Sequence, residues 1–295
     1  VLKNTELTGY TFITRPRLNL STSNLAGDRF FAAMAVADAM DVSTYIRLML
    51  DTKFASDSKN GNILKGCTYF NNFSPFCNLL DNNLVAINGF VDPFVTTETT
   101  DAGFFQESQT YVIGGDRLAR TYELPLTFRD MPGGPVMYSF DIWYHYMMNL
   151  QDGTMVQYAA DIDNNRLGYT SSIYRFIVDK TRRTITKWAK CTGCFPVNSP
   201  VGVPFNKNQG EVAISSTDNF TVNWKANRIE YNDPIILQEF NTLVRRYTGL
   251  DKEKSEIRAY TMQAQNNFYG IPYIRIGKFG NELIFIKHDA SDDGK

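Results

Sequence analysis

Histidine is scarce in this chain, 2 among 295 residues, and no charge of one sign prevails, since 30 Lys and Arg stand against 31 Asp and Glu for a formal net charge of -1. Two histidines leave little side-chain material that changes charge near neutral pH. A balance this close to zero lacks the positive field that holds phosphates by counter-ion release, which excludes a dedicated nucleic-acid-binding domain. A protein through which DNA merely slides needs no such field. Long apolar runs are missing too: none approaches the roughly 20 residues of a membrane span, and Val1–Thr8 lacks the basic-then-apolar layout of a secretion signal. The expectation is a soluble, unexported chain with no membrane contact. On that expectation the Asn-x-Ser/Thr triplets at Asn19, Asn72 and Asn219 are chance matches to the glycosylation rule.

Cysteine is sparse as well, with Cys67 and Cys77 followed far downstream by Cys191 and Cys194. The second pair has the C-x-x-C spacing of a zinc half-site or a redox motif, but the first pair is too widely spaced to match it. Buried or loop thiols in a reducing compartment are expected, a structural zinc at Cys191 and Cys194 being the alternative. What the chain has in quantity is apolar and aromatic material, 43% and 14% of residues, including 16 Tyr and 21 Phe. That is ample for a core. It is more than a core of this size needs, and aromatics are enriched where subunits meet, so an assembly surface stands beside an aromatic-rich core as an explanation.

The most organised stretch is residues 117–249. Tyr122, Leu124, Leu126 and Phe128 alternate as in a strand, and Pro125, which donates no ladder hydrogen bond, places that strand at a sheet edge. Pro132-Gly-Gly-Pro135 is a turn from which a helix starts, with Val136, Phe140, Trp143 and Met147 as its stripe and Asp152-Gly153 as its stop. Ile173–Cys191 predicts a long hairpin whose polar tip, Asp179-Lys-Thr-Arg-Arg183, is basic and points outward. Phe220, Val222 and Trp224 alternate again. Asp233 as cap, Pro234 at the first turn, the stripe Ile236, Phe240, Leu243, Val244 and Tyr247, and Gly249 beyond it define the clearest helix.

Around this block the signals are weaker. Tyr10–Ile13 is extended, Leu18 and Leu20 point to one side, and two helices run over Arg29–Met40 and from Ser43, with Phe30, Met34 and Ala37, then Ile46, Met49 and Leu50, as apolar stripes. Ala55–Gly115 lacks a sustained period and predicts loops and short strands, a long irregular stretch suited to contacts with neighbouring subunits. Asp251–Glu256 is a charged turn, Tyr273–Ile276 and Leu283–Ile286 form a hairpin around Gly280-Asn281, and Asp289–Lys295 frays.

Chemistry is thin. His145 lies one helical turn after Asp141, enough for a hydrogen bond or two positions of a metal site, but no third ligand is apparent. His288 sits near the end. Asp161-Ile-Asp163-Asn164-Asn165 has closely spaced oxygens yet lacks the glycine and the bidentate Glu of a calcium loop, and reads as a polar turn. Gly114-Gly115-Asp116 has no Gly-Lys-Ser/Thr continuation for phosphate. A hydrolase built on one cysteine and His145 is the distant alternative. No catalytic residue, metal or cofactor is expected.

Three segments resemble the tail tube proteins of contractile-tailed bacteriophages. The hairpin exit, Ile185-Thr-Lys-Trp188-Ala-Lys-Cys-Thr192-Gly193-Cys-Phe195-Pro196, is similar to their Trp-bearing strand and Gly-aromatic-Pro turn. Phe220–Trp224 followed by Tyr231-Asn-Asp-Pro234 and Glu239-Phe240-Asn241 resembles virion structural proteins of large phages, as does the opening Phe12-Ile-Thr-Arg15-Pro16-Arg-Leu18-Asn-Leu20. The resemblance covers about half the chain. It implies an α+β, mainly β subunit, a β-sandwich or barrel with flanking helices and an extended N-terminal insertion. It also implies a ring, expected to be hexameric, that stacks into a conduit for DNA. The partners it implies are the chain itself, then sheath, baseplate and tail-terminator proteins, with DNA passing unbound, in a tail assembled in the host cytoplasm. A baseplate-hub, tube-initiator or neck subunit is the nearest alternative. Lys180, Arg182 and Arg183 are the expected contacts to the next ring, and Trp188, Phe220, Trp224 and Phe240 the expected packing residues. The expected division is residues 1–116 as arm and insertion, 117–250 as tube-like core and 251–295 as hairpin and tail, folding as one unit.

Overall fold

A computed structural model describes residues 8–36, 41–56, 74–115, 121–180, 182, 184–205, 219–248, 259–260, 271–278 and 280–286. Ala37, Cys67, Asn72, Arg183, Gly249 and His288, the turn Asp251–Glu256 and the tail Asp289–Lys295 lie outside the described residues.

The chain builds one large antiparallel sheet, curled into a half-barrel, with helices on both faces. In chain order its strands are β1 (Thr8–Ile13), β2 (Leu84–Ile87), β5 (Tyr122–Arg129), β6 (Ser171–Val178), β7 (Ile185–Pro196), β8 (Asn219–Ala226) and β9 (Arg228–Tyr231). They lie in the spatial order β1-β6-β7-β8-β5-β2, with β9 also paired to β7. The long β7 makes the curl. Its first part ladders with β6 and β9, while its last residues, Phe195 and Pro196, pair with β8. Between them the register steps from Ile173↔Cys191 to Ser171↔Cys194, so Thr192-Gly193 is a bulge, and Gly193 takes φ 66, a conformation costly for any residue with a Cβ.

Successive residues of a strand point to opposite faces, and here each face has its own core. Ile173, Cys191 and Cys194 join a core under helix α6 (Pro135–Gln151), where Val136, Phe140, Trp143 and Tyr146 meet Leu124, Leu126, Phe128, Val222 and Trp224, all fully buried. Tyr174, Phe176 and Val178 join the other core, under helix α8 (Pro234–Thr248), with Phe12, Ile236, Phe240 and Val244. A small sheet, β10 (Ala259–Tyr260), β12 (Gly280–Ile286) and β11 (Ile271–Gly277), supplies Ile271, Tyr273, Ile274, Leu283 and Phe285 to that second core. Asn241 of α8 clamps β11 with both ends of its amide, donating to Ile274 O at 2.7 Å and accepting from Ile274 N at 2.9 Å.

Helices α1 (Thr22–Leu25), α2 (Arg29–Val36), α3 (Val42–Leu50), α4 (Thr52–Ser56) and α5 (Asn78–Asn83) bring Phe31, Met34, Ile46, Leu50 and Leu80 to the first core, and α7 (Ala159–Asp163) is a single turn. The segment between β1 and α1 runs through the interior, where its backbone bonds to scattered partners, Arg15 N to Pro75 O, Arg17 N to Gly168 O and Leu18 N to Leu50 O, and buried charged side chains satisfy further backbone groups around it. Arg15 donates to Met49 O (2.9 Å), Leu48 O (2.5 Å) and Ser74 O (3.4 Å). Arg47 donates to Leu20 O at 2.7 Å, and Asp51, fully buried, accepts from Leu20 N at 2.9 Å and from Tyr158 OH at 2.7 Å. Burial lowers the pKa of both arginines and raises that of Asp51.

Four expectations are corrected. Pro125 is not on an edge strand, because β5 lies between β8 and β2. Proline is tolerated there because its partner Asn223 turns its peptide groups the other way, Val197 N donating to Asn223 O at 2.8 Å and Asn223 N to Asn198 Oδ1 at 2.7 Å. The helix expected from Ser43 is capped by Asp41, whose carboxylate accepts from Ser43 N. Gly280 and Asn281 belong to β12, facing Gly277 and Ile276, so the turn precedes them. The stretch read as a polar turn is exposed from residue 162 to 165, but Asp161 at its start is buried in α7 and ion-paired to Arg17 at 2.8 Å.

Candidate assembly site

Two strands stand apart from both cores. β3 (Val95–Thr99) and β4 (Thr110–Gly115) form a hairpin that, among the described residues, pairs only with itself, and every residue from 91 to 115 is exposed. It leaves the body at Gly89, whose φ is +95 and whose place for a Cβ lies 2.1 Å from Glu123 O, so only glycine fits. Phe90 then packs edge-on against Tyr231, and the Tyr231 hydroxyl donates to Val91 O at 2.8 Å.

The arm is ordered by its own bonds. Thr99 and Thr110 share a hydroxyl contact at 3.0 Å, Tyr111 OH donates to Glu98 Oε2 at 3.0 Å, and at the tip Phe105 N donates to Glu107 Oε2 at 2.8 Å. That tip lifts Phe104 and Phe105 into solvent at 94% and 85% exposure, and Val95, Tyr111, Val112 and Ile113 are exposed along the strands. A two-stranded hairpin is marginal in water without a covered face, and exposed apolar clusters of this kind mark interaction surfaces. The sequence signal was the clustered apolar residues Tyr111-Val-Ile113 and Phe104-Phe105 inside an otherwise aperiodic stretch.

The basic tip between β6 and β7 also faces solvent. Lys180 and Arg182 are exposed, Arg182 at φ 58, and Arg182 is close enough to Tyr10 to oppose the rise in its pKa that burial causes. Asp179 N donates to Thr184 O at 2.9 Å and Arg182 N to Asp179 O at 2.9 Å, closing the turn. Thr184 bridges to Glu282, so the tip of the β11–β12 hairpin lies beside it and adds Lys278 and Ile276, which is 90% exposed, to the same end.

The other sequence candidates fall in the interior or against a helix. Trp224 and Phe240 are fully buried and Phe220 nearly so, while Trp188 is half-buried and donates through Nε1 to Asp233 O at 2.8 Å. Cys191 and Cys194 are buried free thiols, and the Cys194 hydrogen bond and burial push Cys191 well above the usual thiol range. Cys77 is buried and raised by burial in the same direction. His145 lies 3.5 Å from Asp141 and stacks on Phe30 at 4.2 Å. Among the described residues no group of three or more His, Cys, Asp and Glu is placed to hold a metal ion, and no helix is long and apolar enough to cross a membrane.

A family model described as "Putative phage tail tube protein" matches residues 1–275. The chain belongs to that family. Its role is therefore that of a structural component of a phage tail. No curated protein matches the chain. Among solved structures this tail protein is similar to the tube-terminating cap of an anti-feeding prophage, with 10% identity and a TM-score of 0.31 over 50% of this chain and 79% of that one. It is also similar to the sheath/tube terminator of an extracellular contractile injection system, with 9% identity and a TM-score of 0.28 over 51% and 85%. A chain of the sheath-tube complex of such a system gives 10% identity and a TM-score of 0.30 over 52% and 80%. Likenesses of this size establish neither role nor assembly.

Proposed function

We propose that this tail protein is a non-enzymatic subunit of the tube itself, forming hexameric rings that stack into a conduit for DNA during ejection, within a contractile tail. The family match over residues 1–275 carries the reading. The sheet supplies the means. The edge of β1 is covered at Ile13, whose N–H donates to Asp81 Oδ1 at 2.8 Å and whose C=O accepts from Cys77 N at 2.8 Å. From Thr8 to Phe12, among the described residues, no strand pairs with β1 on the side away from β6. An open sheet edge is a template for a strand of the next subunit. A net charge of -1 suits a lumen that must not hold phosphates. Lys180, Arg182 and Arg183 contact the next ring, and sheath, baseplate and terminator proteins complete the set of partners, assembled in the host cytoplasm. The segments 1–116, 117–250 and 251–295 unfold as one unit, since residues of the first two share the core under α6 and residues of all three share the core under α8.

Electron microscopy of the purified chain tests this. Open-ended tubes are expected; discrete rings would instead make it a baseplate-hub, tube-initiator or neck subunit. Arg182→Glu with Arg183→Glu should block stacking and leave the subunit folded, and unchanged tubes would remove the tip from the contact.

A further inference from the structure

We propose that the arm, residues 91–115, seats on the basic end of a second copy of the chain, where the β6–β7 and β11–β12 tips bring Lys180, Arg182 and Lys278 together. That this contact joins successive rings rests on the tube reading above; the contact itself does not.

Charge selects the partner. The arm carries Asp92, Glu98, Asp101 and Glu107 and no Lys, Arg or His. At the counterpart surface Lys180, Arg182 and Lys278 are exposed. Phosphates are repelled by the arm, which excludes nucleic acid as its partner. Apolar matter also corresponds: Phe104 and Phe105, set edge to face at 5.2 Å, meet an end where Ile276 is 90% exposed, and a guanidinium packs well over a phenyl face. Phe104, Phe105, Ile276, Lys180 and Arg182 all remain exposed to solvent within one chain.

The arm is also built to bind without much reordering. Gly103 N donates to Glu107 O at 2.8 Å and Gln106 N to Gly103 O at 2.9 Å, which fixes the turn that presents the two phenyl rings. Preorganised contacts lose less freedom on association. Because arm and basic end are different patches, the contact is heterologous, which builds an open filament unless its rotation closes it into a ring.

The test uses the full chain and reads the concentration at which it assembles, by sedimentation and electron microscopy. Phe104→Ala with Phe105→Ala, and separately Lys180→Glu with Arg182→Glu, should each raise that concentration by about tenfold or more, the scale of losing central interface residues. Thermal melting of the dilute subunit should not change. Mixed together, the two defective variants should form complexes held by a single intact arm–end contact that do not grow further. Adding Asp92→Lys and Asp101→Lys to the Lys180→Glu, Arg182→Glu variant should restore growth. If the phenylalanine variant forms tubes at the wild-type concentration, or the mixture forms nothing, the arm contact is wrong while the tube reading stands. If the wild type forms only discrete complexes that the phenylalanine variant dissolves, the contact stands and the tube reading falls. A wild type that stays monomeric ends both.

Discussion

β4 and β5 follow one another in the chain and are both rich in apolar residues, yet they end in opposite surroundings. Leu124, Leu126 and Phe128 of β5 are fully buried, whereas Tyr111, Val112 and Ile113 of β4 are 46%, 61% and 55% exposed. The difference lies in what crosses them. Helix α6 lies over β5, and Phe128 meets Phe140 at 4.9 Å while Trp224 meets Trp143 at 5.3 Å. Among the described residues β4 pairs with β3 alone. Apolar side chains on a strand state a demand for cover, and the hydrophobic effect is indifferent to whether the cover comes from the same chain or another. In a tail protein the second source is available.

Four measurements break or sharpen that contrast. The largest effect is expected at Phe240, whose ring lies 5.5 Å from Phe12, 5.1 Å from Phe76, 5.3 Å from Tyr174 and 5.0 Å from Phe176. Phe240→Ala should cost about 3–5 kcal/mol in urea unfolding, and a loss under about 1 kcal/mol would show that the second core is not needed for the fold.

A smaller effect is tied to pH. Asp81 is half-buried beside Cys77, and loss of solvent around its carboxyl holds it well above the usual carboxylate range, opposed by the hydrogen bond from Ile13 N. The folded chain thus binds this proton more tightly than the unfolded chain. Its contribution is full below about pH 4 and falls as pH rises toward the folded pKa, by up to about 1.4 kcal/mol per pH unit. Asp81→Asn keeps an acceptor for Ile13 N and should flatten that slope in melting curves taken across pH; an unchanged slope assigns it to other groups.

At the start of α8, Asp233 Oδ1 accepts from Ile235 N at 2.9 Å. Asp233→Ala should cost about 1 kcal/mol, read in the same urea titration, and Asp233→Asn should recover most of it. The smallest effect is expected at the arm, where Phe104→Ala with Phe105→Ala should change the stability of the dilute subunit by less than about 0.5 kcal/mol. A loss comparable to that of Phe240→Ala would mean that the arm packs on its own body, and the contrast between β4 and β5 would vanish.

Much of the body was legible because its periods are clean. Val136, Phe140 and Trp143 repeat at helical spacing and all three are buried, and Asp233-Pro234 starts α8 as its cap chemistry requires. Pro125 misled because the rule against interior prolines concerns a ladder hydrogen bond, and whether a given N–H belongs to the ladder depends on register, which the local sequence does not contain. The buried set of Arg15, Arg47 and Asp51 gave no signal at all. A charged residue reads as a solvated position until the fold places carbonyls of Leu20, Leu48 and Met49 around it.

The arm stood between these cases. It falls in the stretch Ala55–Gly115, whose lack of a sustained period predicts loops and short strands suited to contacts with neighbouring subunits. Its freedom from both cores and the lift of Phe104 and Phe105 from the tip came from the structure.

By itself the sequence marked β5, β6, β7, β8, α6 and α8, because period and capping are local properties of the backbone, and its resemblance pointed to tail tube proteins. Tertiary structure alone decided that β7 crosses from one ladder to the other, that two cores lie on opposite faces of one sheet, and that residues 91–115 stay outside both. Those outcomes turn on which distant groups meet, and the free energy of such meetings belongs to pairs of segments rather than to either segment alone.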